Sequence, residues 1–286
     1  MNKDAVSRSK KRSVLSFFLY LCIALSSLCI VFLSVTANPN TFVKEFTQPS
    51  YVANVKDDVV QYTRDMCLNN SLPDDFIEST IIYDKIYNIE NAYIQGEFGT
   101  SLEFTAESYK NLLNQFKEDV VESVNEMVQS QNIEIEQSVK DTAVETFAQQ
   151  VTDYAAKATS FGYIRQVKSF CELSKTVCSI ILSICLAGSI GLIVAITLRT
   201  SRKYRVMRSI SYSFGSAAVM NLIVAAAVCI VKATKNLVIY PTYLVDVFIR
   251  WVDDSLNSVL TCAGILAIIF VAFACFTLKL KRDSQQ

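Results

Sequence analysis

The chain has 286 residues, no formal net charge and 51% hydrophobic side chains, more apolar than an ordinary soluble domain of this length. It contains no histidine, which excludes His-based acid–base catalysis, Ser–His and Cys–His nucleophile pairs and His-ligated zinc. With no Gly-rich phosphate loop or dinucleotide fingerprint either, the composition implies no cofactor or metal and a protein that is not an enzyme.

Residues 1–13 are basic, with Lys3, Arg8, Lys10, Lys11 and Arg12 against Asp4. The uncharged run 14–36 follows. About 20 helical residues cross a hydrocarbon core, so this run predicts a first transmembrane helix. A basic start, an apolar run and Val35-Thr36-Ala37 also resemble a secretory signal with its cleavage site. The run is much longer than such signals, and an uncleaved span is expected.

Residues 37–172 carry twenty-two acids against ten bases and read as a mainly helical domain. Tyr51, Val55, Val59, Tyr62 and Met66 recur at helical spacing. Ser71 is the expected N-cap of a helix opening at Asp74-Asp75. After a pause at Gly96 and Gly99, Thr105 is placed to cap a helix with the stripe Tyr109, Leu112, Leu113, Phe116, Val120, Val124, Met127 and Val128. A further helix is expected through Val139, Ala143, Phe147, Val151, Tyr154, Ala155 and Ala158, joined to it near 130–135 as an antiparallel hairpin. Short strands near Ile94 or Phe104 stay open. The pairs Asp57-Asp58, Asp74-Asp75 and Glu118-Asp119 point to different sides of a helix and make no two-carboxylate site. Asn69-Asn70-Ser71 fits a glycosylation acceptor in a eukaryotic host.

A second uncharged run covers 176–198 and a third 210–231. The second carries Ser179, Ser183, Ala187, Gly191 and Ala195, a small residue at every fourth position; the third carries Ser213, Ala217, Asn221, Ala225 and Cys229 in the same rhythm. Such rows let helices in lipid approach closely, and the short link predicts a tight hairpin with both rows at its seam. Asn221, near mid-span, should bond to a neighbouring helix. No Asp, Glu, Lys or Arg interrupts any span, which counts against an autonomous ion-coupled pump.

The link itself, 199–209, holds Arg199, Arg202, Lys203, Arg205 and Arg208 and no acid. The segment 232–255 has three charges of each sign. There Pro241 can open a helix with Tyr240, Tyr243, Phe248 and the sole tryptophan, Trp251, expected as an interfacial anchor or else as a docking floor for the large domain. The fourth uncharged run is 256–278, and 279–286 is a basic tail. Spans, turn and tails together give an all-α integral membrane protein of four spans. The excess of Lys and Arg at both ends and in the turn puts these on the cytoplasmic side, 37–172 and 232–255 on the other, most naturally in the plasma membrane. The basic turn is a candidate contact for a cytoplasmic partner or for lipid. Nucleic acid is not expected, because Tyr204 is the only stacking aromatic among these cations. Seven of the nine cysteines lie in spans, where they act as small apolar side chains. A disulfide between the other two, Cys67 and Cys171, would tie the start of the outer domain to its exit.

One span, a large outer domain, then three spans with the basic turn "RTSRKYRVMRSI" is similar in topology to the four-span permeases of the FtsX and MacB kind. The resemblance implies that the turn couples to a cytoplasmic ATPase in an exporter or mechanotransmission complex. Here the turn is short and free of acid, and the outer domain reads as more helical. The residues themselves favour a non-catalytic membrane protein whose outer domain binds a partner, senses or scaffolds.

Overall fold

The computed structural model describes residues 3–99, 104–130, 136–160, 162–200, 203–234 and 242–283. All of its regular structure is helical. The helices are α1 (Lys3–Val31), α2 (Pro39–Phe46), α3 (Pro49–Asn69), α4 (Ile77–Thr80), α5 (Tyr83–Phe98), α6 (Ala106–Ser130), α7 (Gln137–Thr159), α8 (Ile164–Arg199), α9 (Lys203–Thr234) and α10 (Tyr243–Asp283), with a π-turn, Phe32–Thr36, closing α1. Four of them, α1, α8, α9 and α10, contain stretches long and apolar enough to cross a membrane. The chain forms two compact units: a bundle of Met1–Asn38, Cys171–Leu237 and Trp251–Gln286, and a helical domain of Pro39–Phe170 with Val238–Arg250.

The helical domain is built on α3, α5, α6 and α7, each packed against its neighbours, with α2 laid over α3 and α5. Phe116, Val120 and Val124 of α6 are buried where the sequence stripe puts them. On α7 the inward face is Val144, Phe147, Ala148, Val151 and Ala155, while Val139 is exposed. The α6–α7 pair is antiparallel: Lys117 meets Glu145 at one end, and the Tyr109 hydroxyl approaches the Ala156 carbonyl oxygen at 3.4 Å near the other. It is not a free-standing hairpin, because α5 and α3 cover its apolar side. Residues 131–135, the expected joint, lie outside the described residues.

Local signals fix the helix ends. Pro49 opens α3, where its missing N–H costs nothing. Thr105 and Ser108 cap α6 reciprocally, each side-chain oxygen accepting the other residue's N–H at 3.2–3.3 Å. Ser71 does not cap a following helix. It ends α3, at φ 54°, with Leu72 N–H donating to Cys67 O at 2.8 Å and Ser71 N–H to Leu68 O at 3.2 Å. That is the Schellman pattern, with serine in the left-handed position usual for glycine. The next helix therefore begins at Ile77. Gly99, at φ 61°, closes α5 in the same left-handed conformation. Ile94 lies within α5 and Phe104 precedes α6 without forming a strand.

In the bundle, α9 runs along α1 for most of its length. Leu19 packs with Val206 and Ile210, Ala24 with Ala217 and Ala218, and Val31 with Ala225, so the two helices are parallel. Phe273, Leu266 and Val259 of α10 meet the same three levels in reverse order, and Ile196 of α8 lies beside Leu19. The bundle is thus up–down–up–down. One end of it collects the start of α1, the α8–α9 link and the end of α10, which are the three basic segments of the sequence.

All four long helices overrun their expected limits, α1 and α9 by starting within the basic segments before their apolar runs. α8 starts twelve residues before the apolar run at 176, and α10 is a single 41-residue helix in place of an interfacial helix followed by a span. No proline interrupts either, so nothing in the chain forces a break.

Candidate functional site

The helical domain contains one chemically anomalous group. Helix α5 buries Ile86, Ile89, Ala92 and Ile94, and Glu90 falls on that same face. Its side chain is 0% exposed, and neither carboxyl oxygen has a hydrogen-bond partner among the described residues. Burial alone pushes the Glu90 carboxyl well above its ordinary range, because a charge there has neither water nor a partner. A charge on Glu90 would in turn raise the phenols of Tyr51, Tyr93, Tyr109 and Tyr243, after burial. Tyr93 is pushed up to about 12, by burial first and then by Glu97, Tyr109 and Glu90, with Arg165 opposing. Burial also raises Tyr51 well above its usual value. A neutral carboxylic acid among neutral phenols is the state this core favours.

A second set of polar groups holds the first two turns of α10 in this domain. Glu45, 2% exposed, accepts from Arg250 Nε at 2.9 Å and from Gln48 Nε2 at 3.1 and 3.2 Å. Tyr243 packs edge-on against Tyr51, with ring centres 5.4 Å apart. Asp58 accepts long hydrogen bonds from the hydroxyls of Tyr154, at 3.2 Å, and Tyr243, at 3.4 Å. Tyr154 in turn stacks on Tyr62 at 3.8 Å. Leu244 and Val247 are buried alongside. Of the expected interfacial aromatics, Tyr243 lies within the domain's packing. Phe248 and Trp251 are half-buried on α10, and Tyr240 and Pro241 lie outside the described residues.

The outer surface of α6 and α7 carries a groove of about 440 Å³ lined by Asn114, Lys117, Glu118, Val121, Glu122 and Glu145. The paired acids of the sequence are dispersed. Asp58 faces Tyr154 and Tyr243, Asp57 is exposed beside Lys56, Asp74 bonds Arg64 at 3.0 Å, and Asp119 bonds Lys85 at 2.7 Å.

In the bundle, the row on α9 is buried against α1 at Ser213, Ala217, Asn221 and Ala225, while its last member, Cys229, is exposed. Ser213 Oγ donates to Ser16 O at 3.1 Å, and Asn221 Nδ2 donates to Ser27 Oγ at 2.7 Å and to Ala217 O at 3.0 Å. The row on α8 is turned outward: Ser179, Ser183, Ala187 and Gly191 are exposed and Ala195 half-buried. Cys178, Cys185 and Gly188 take the inner face of α8, with Cys22 Sγ 3.6 Å from the position a Cβ on Gly188 would occupy. Small residues alone did not indicate which row would be covered, and the seven-residue spacing of Cys171, Cys178 and Cys185 was the missed signal. Arg199, Lys203, Arg205 and Arg208 are exposed, and Arg202 lies outside the described residues. Arg208 sits over the Tyr212 ring at 5.2 Å. Cys67 and Cys171 are both free, buried thiols, the first in the helical domain and the second in the bundle. Burial, reinforced by Asp74, raises the Cys67 thiol to about 11, which keeps it protonated and unreactive.

No protein family, curated protein or solved structure matches this chain.

Proposed function

We propose that the chain is a non-catalytic, multi-pass membrane protein of the cell membrane, with both termini cytoplasmic, whose extracytoplasmic helical domain binds a protein partner and senses or scaffolds at the surface. The observation that supports this most is the clamp on α10. The domain holds Tyr243, Leu244, Val247 and Arg250, and the same helix continues without interruption as an apolar span. An event that loosens Glu45–Arg250 therefore acts on a helix that enters the membrane. The α6–α7 groove, with three acids and one lysine, is the face offered to a partner carrying basic side chains.

A second reading is favoured by the exposed cations at one end of the bundle. In it the chain is the permease-like subunit of an ATP-driven complex, with Arg202, Lys203, Arg205 and Arg208 as the ATPase contacts. Cross-linking in native membranes, followed by purification in mild detergent and mass spectrometry, separates the two. Cross-links from 118 and 122 to a surface protein, lost on Glu118→Lys/Glu122→Lys, uphold the first. A stoichiometric nucleotide-binding subunit, lost on charge reversal of Arg205 and Arg208, replaces it with the second.

A further inference from the structure

The bundle carries a groove of about 880 Å³ on its surface, bordered by α1, α9 and α10, within the size range of small-ligand sites. Its body is apolar: Phe17, Gly215, Ala218, Val219, Ile223 and Phe270. The lining also carries the hydroxyls of Ser13, Ser16, Tyr20, Tyr212, Ser213 and Ser216, of which Ser13 and Tyr212 stand toward one end. The register of α1 on α9 makes this the end of the bundle that holds the basic segments. The Arg208 guanidinium stands there over Tyr212 and donates to its hydroxyl at 3.0 Å. One turn beyond Ser13, α1 continues through Lys10, Lys11 and Arg12. No acid is among the lining residues.

With the four apolar helices read as spans, the exposed border residues Phe17 and Val219 (57% and 55% exposed) face hydrocarbon. An empty furrow there would forfeit dispersion contacts along its whole lining. A second copy is a poor filler. Copies inserted with the same orientation would bring basic end against basic end, with no acid in the groove to offset them. An amphiphile with one apolar tail and one negative head matches both the furrow and its mouth.

We propose that this groove is a binding site for a single anionic phospholipid, its acyl chain along Gly215, Ala218 and Phe270 and its phosphate at Arg208 and Tyr212. The test uses the full chain in vesicles of equal parts phosphatidylcholine and phosphatidylglycerol, extracted in mild detergent and weighed intact by native mass spectrometry. One phospholipid should remain bound, with phosphatidylglycerol favoured about fivefold, the factor that corresponds to about 1 kcal/mol for one cation at an anionic head. Arg208→Gln should keep a bound lipid but erase that preference. Ser216→Leu combined with Ala267→Leu fills the groove and should release lipid of either head. Ile190→Trp, which adds bulk on the exposed face of α8, should retain it. A filled variant that holds lipid like the parent, an Arg208→Gln variant that keeps the full preference, or a lipid-free dimer would each overturn the assignment. Should the filled variant not fold, the Arg208→Gln preference decides alone.

Discussion

Two glutamates of the helical domain show how one side chain can be buried in opposite states. Glu45 is buried with Arg250 and Gln48 on its oxygens, so its charge is compensated. Glu90 is buried with nothing on either oxygen, so its neutral form is favoured. Because the folded-state pKa of Glu90 is raised, the folded domain holds a proton that the unfolded chain releases above about 4.5. Stability therefore falls as pH rises from that value toward the raised one, by up to about 1.4 kcal/mol per pH unit. Below the ordinary carboxyl range the two states are equally protonated and the loss disappears. Glu90→Gln should leave α5 amide protection unchanged near pH 4 and increase it at neutral pH, read by hydrogen exchange against the parent at each pH. Equal protection at both values would mean that Glu90 finds a partner in solution. Arg250→Gln strands a buried charge and should cost about 1–3 kcal/mol, less than a fully buried pair because Arg250 is partly exposed. Adding Glu45→Gln should restore most of it. A double variant as unstable as the single one would show that Arg250 acts through its packing alone.

At the scale of helices, close approach and polar bonding contribute unequally to the bundle. A Cβ on Gly215 would stand 2.9 Å from the Phe270 ring, and Ser211 Oγ bonds the Phe270 carbonyl oxygen at 3.2 Å on the same seam. Gly215→Leu must push α10 away or twist Phe270, at about 1–3 kcal/mol. Asn221 donates to Ser27, but Ser27 keeps its own bond to Ala24 O at 2.8 Å if Asn221 is removed. Asn221→Leu should therefore cost about 0.6 kcal/mol, the usual worth of such a bond in a membrane. Graded denaturation in mixed micelles should rank Gly215→Leu well below Asn221→Leu, and the reverse order would make the Asn221–Ser27 bond the dominant contact. The pairing itself was legible only in part. That Asn221 must find a partner followed from its place in an apolar run. That the partner sits on α1 did not follow, because chain proximity of α8 and α9 says nothing about which faces meet. The lengths of α8 and α10 were likewise hidden. Sequence patterning marks where hydrophobicity stops, and a helix with no proline continues past that point into polar residues.

At the scale of the whole chain, the helical class and the four candidate spans could be read from uncharged runs, since backbone groups in hydrocarbon must bond within their own segment. The core of the helical domain was visible as stripes on α3 and α6. Its polar interior was not, because Glu90 looks like any other acid until helices from distant parts of the chain close over it. Sidedness rests on the asymmetry of Lys and Arg, which the bundle gathers at one end. On the function proposed above, the positive-inside rule assigns the basic end to the cytoplasm. Glu118→Cys and Lys203→Cys provide the measurement, since the native cysteines are buried or lie within the apolar runs. A membrane-impermeant maleimide should label position 118 in intact cells and position 203 only after permeabilisation. The opposite pattern would invert the protein and transfer the α6–α7 face to cytoplasmic partners. Labelling of both in intact cells would leave an odd number of crossings and remove one of the four helices from the membrane.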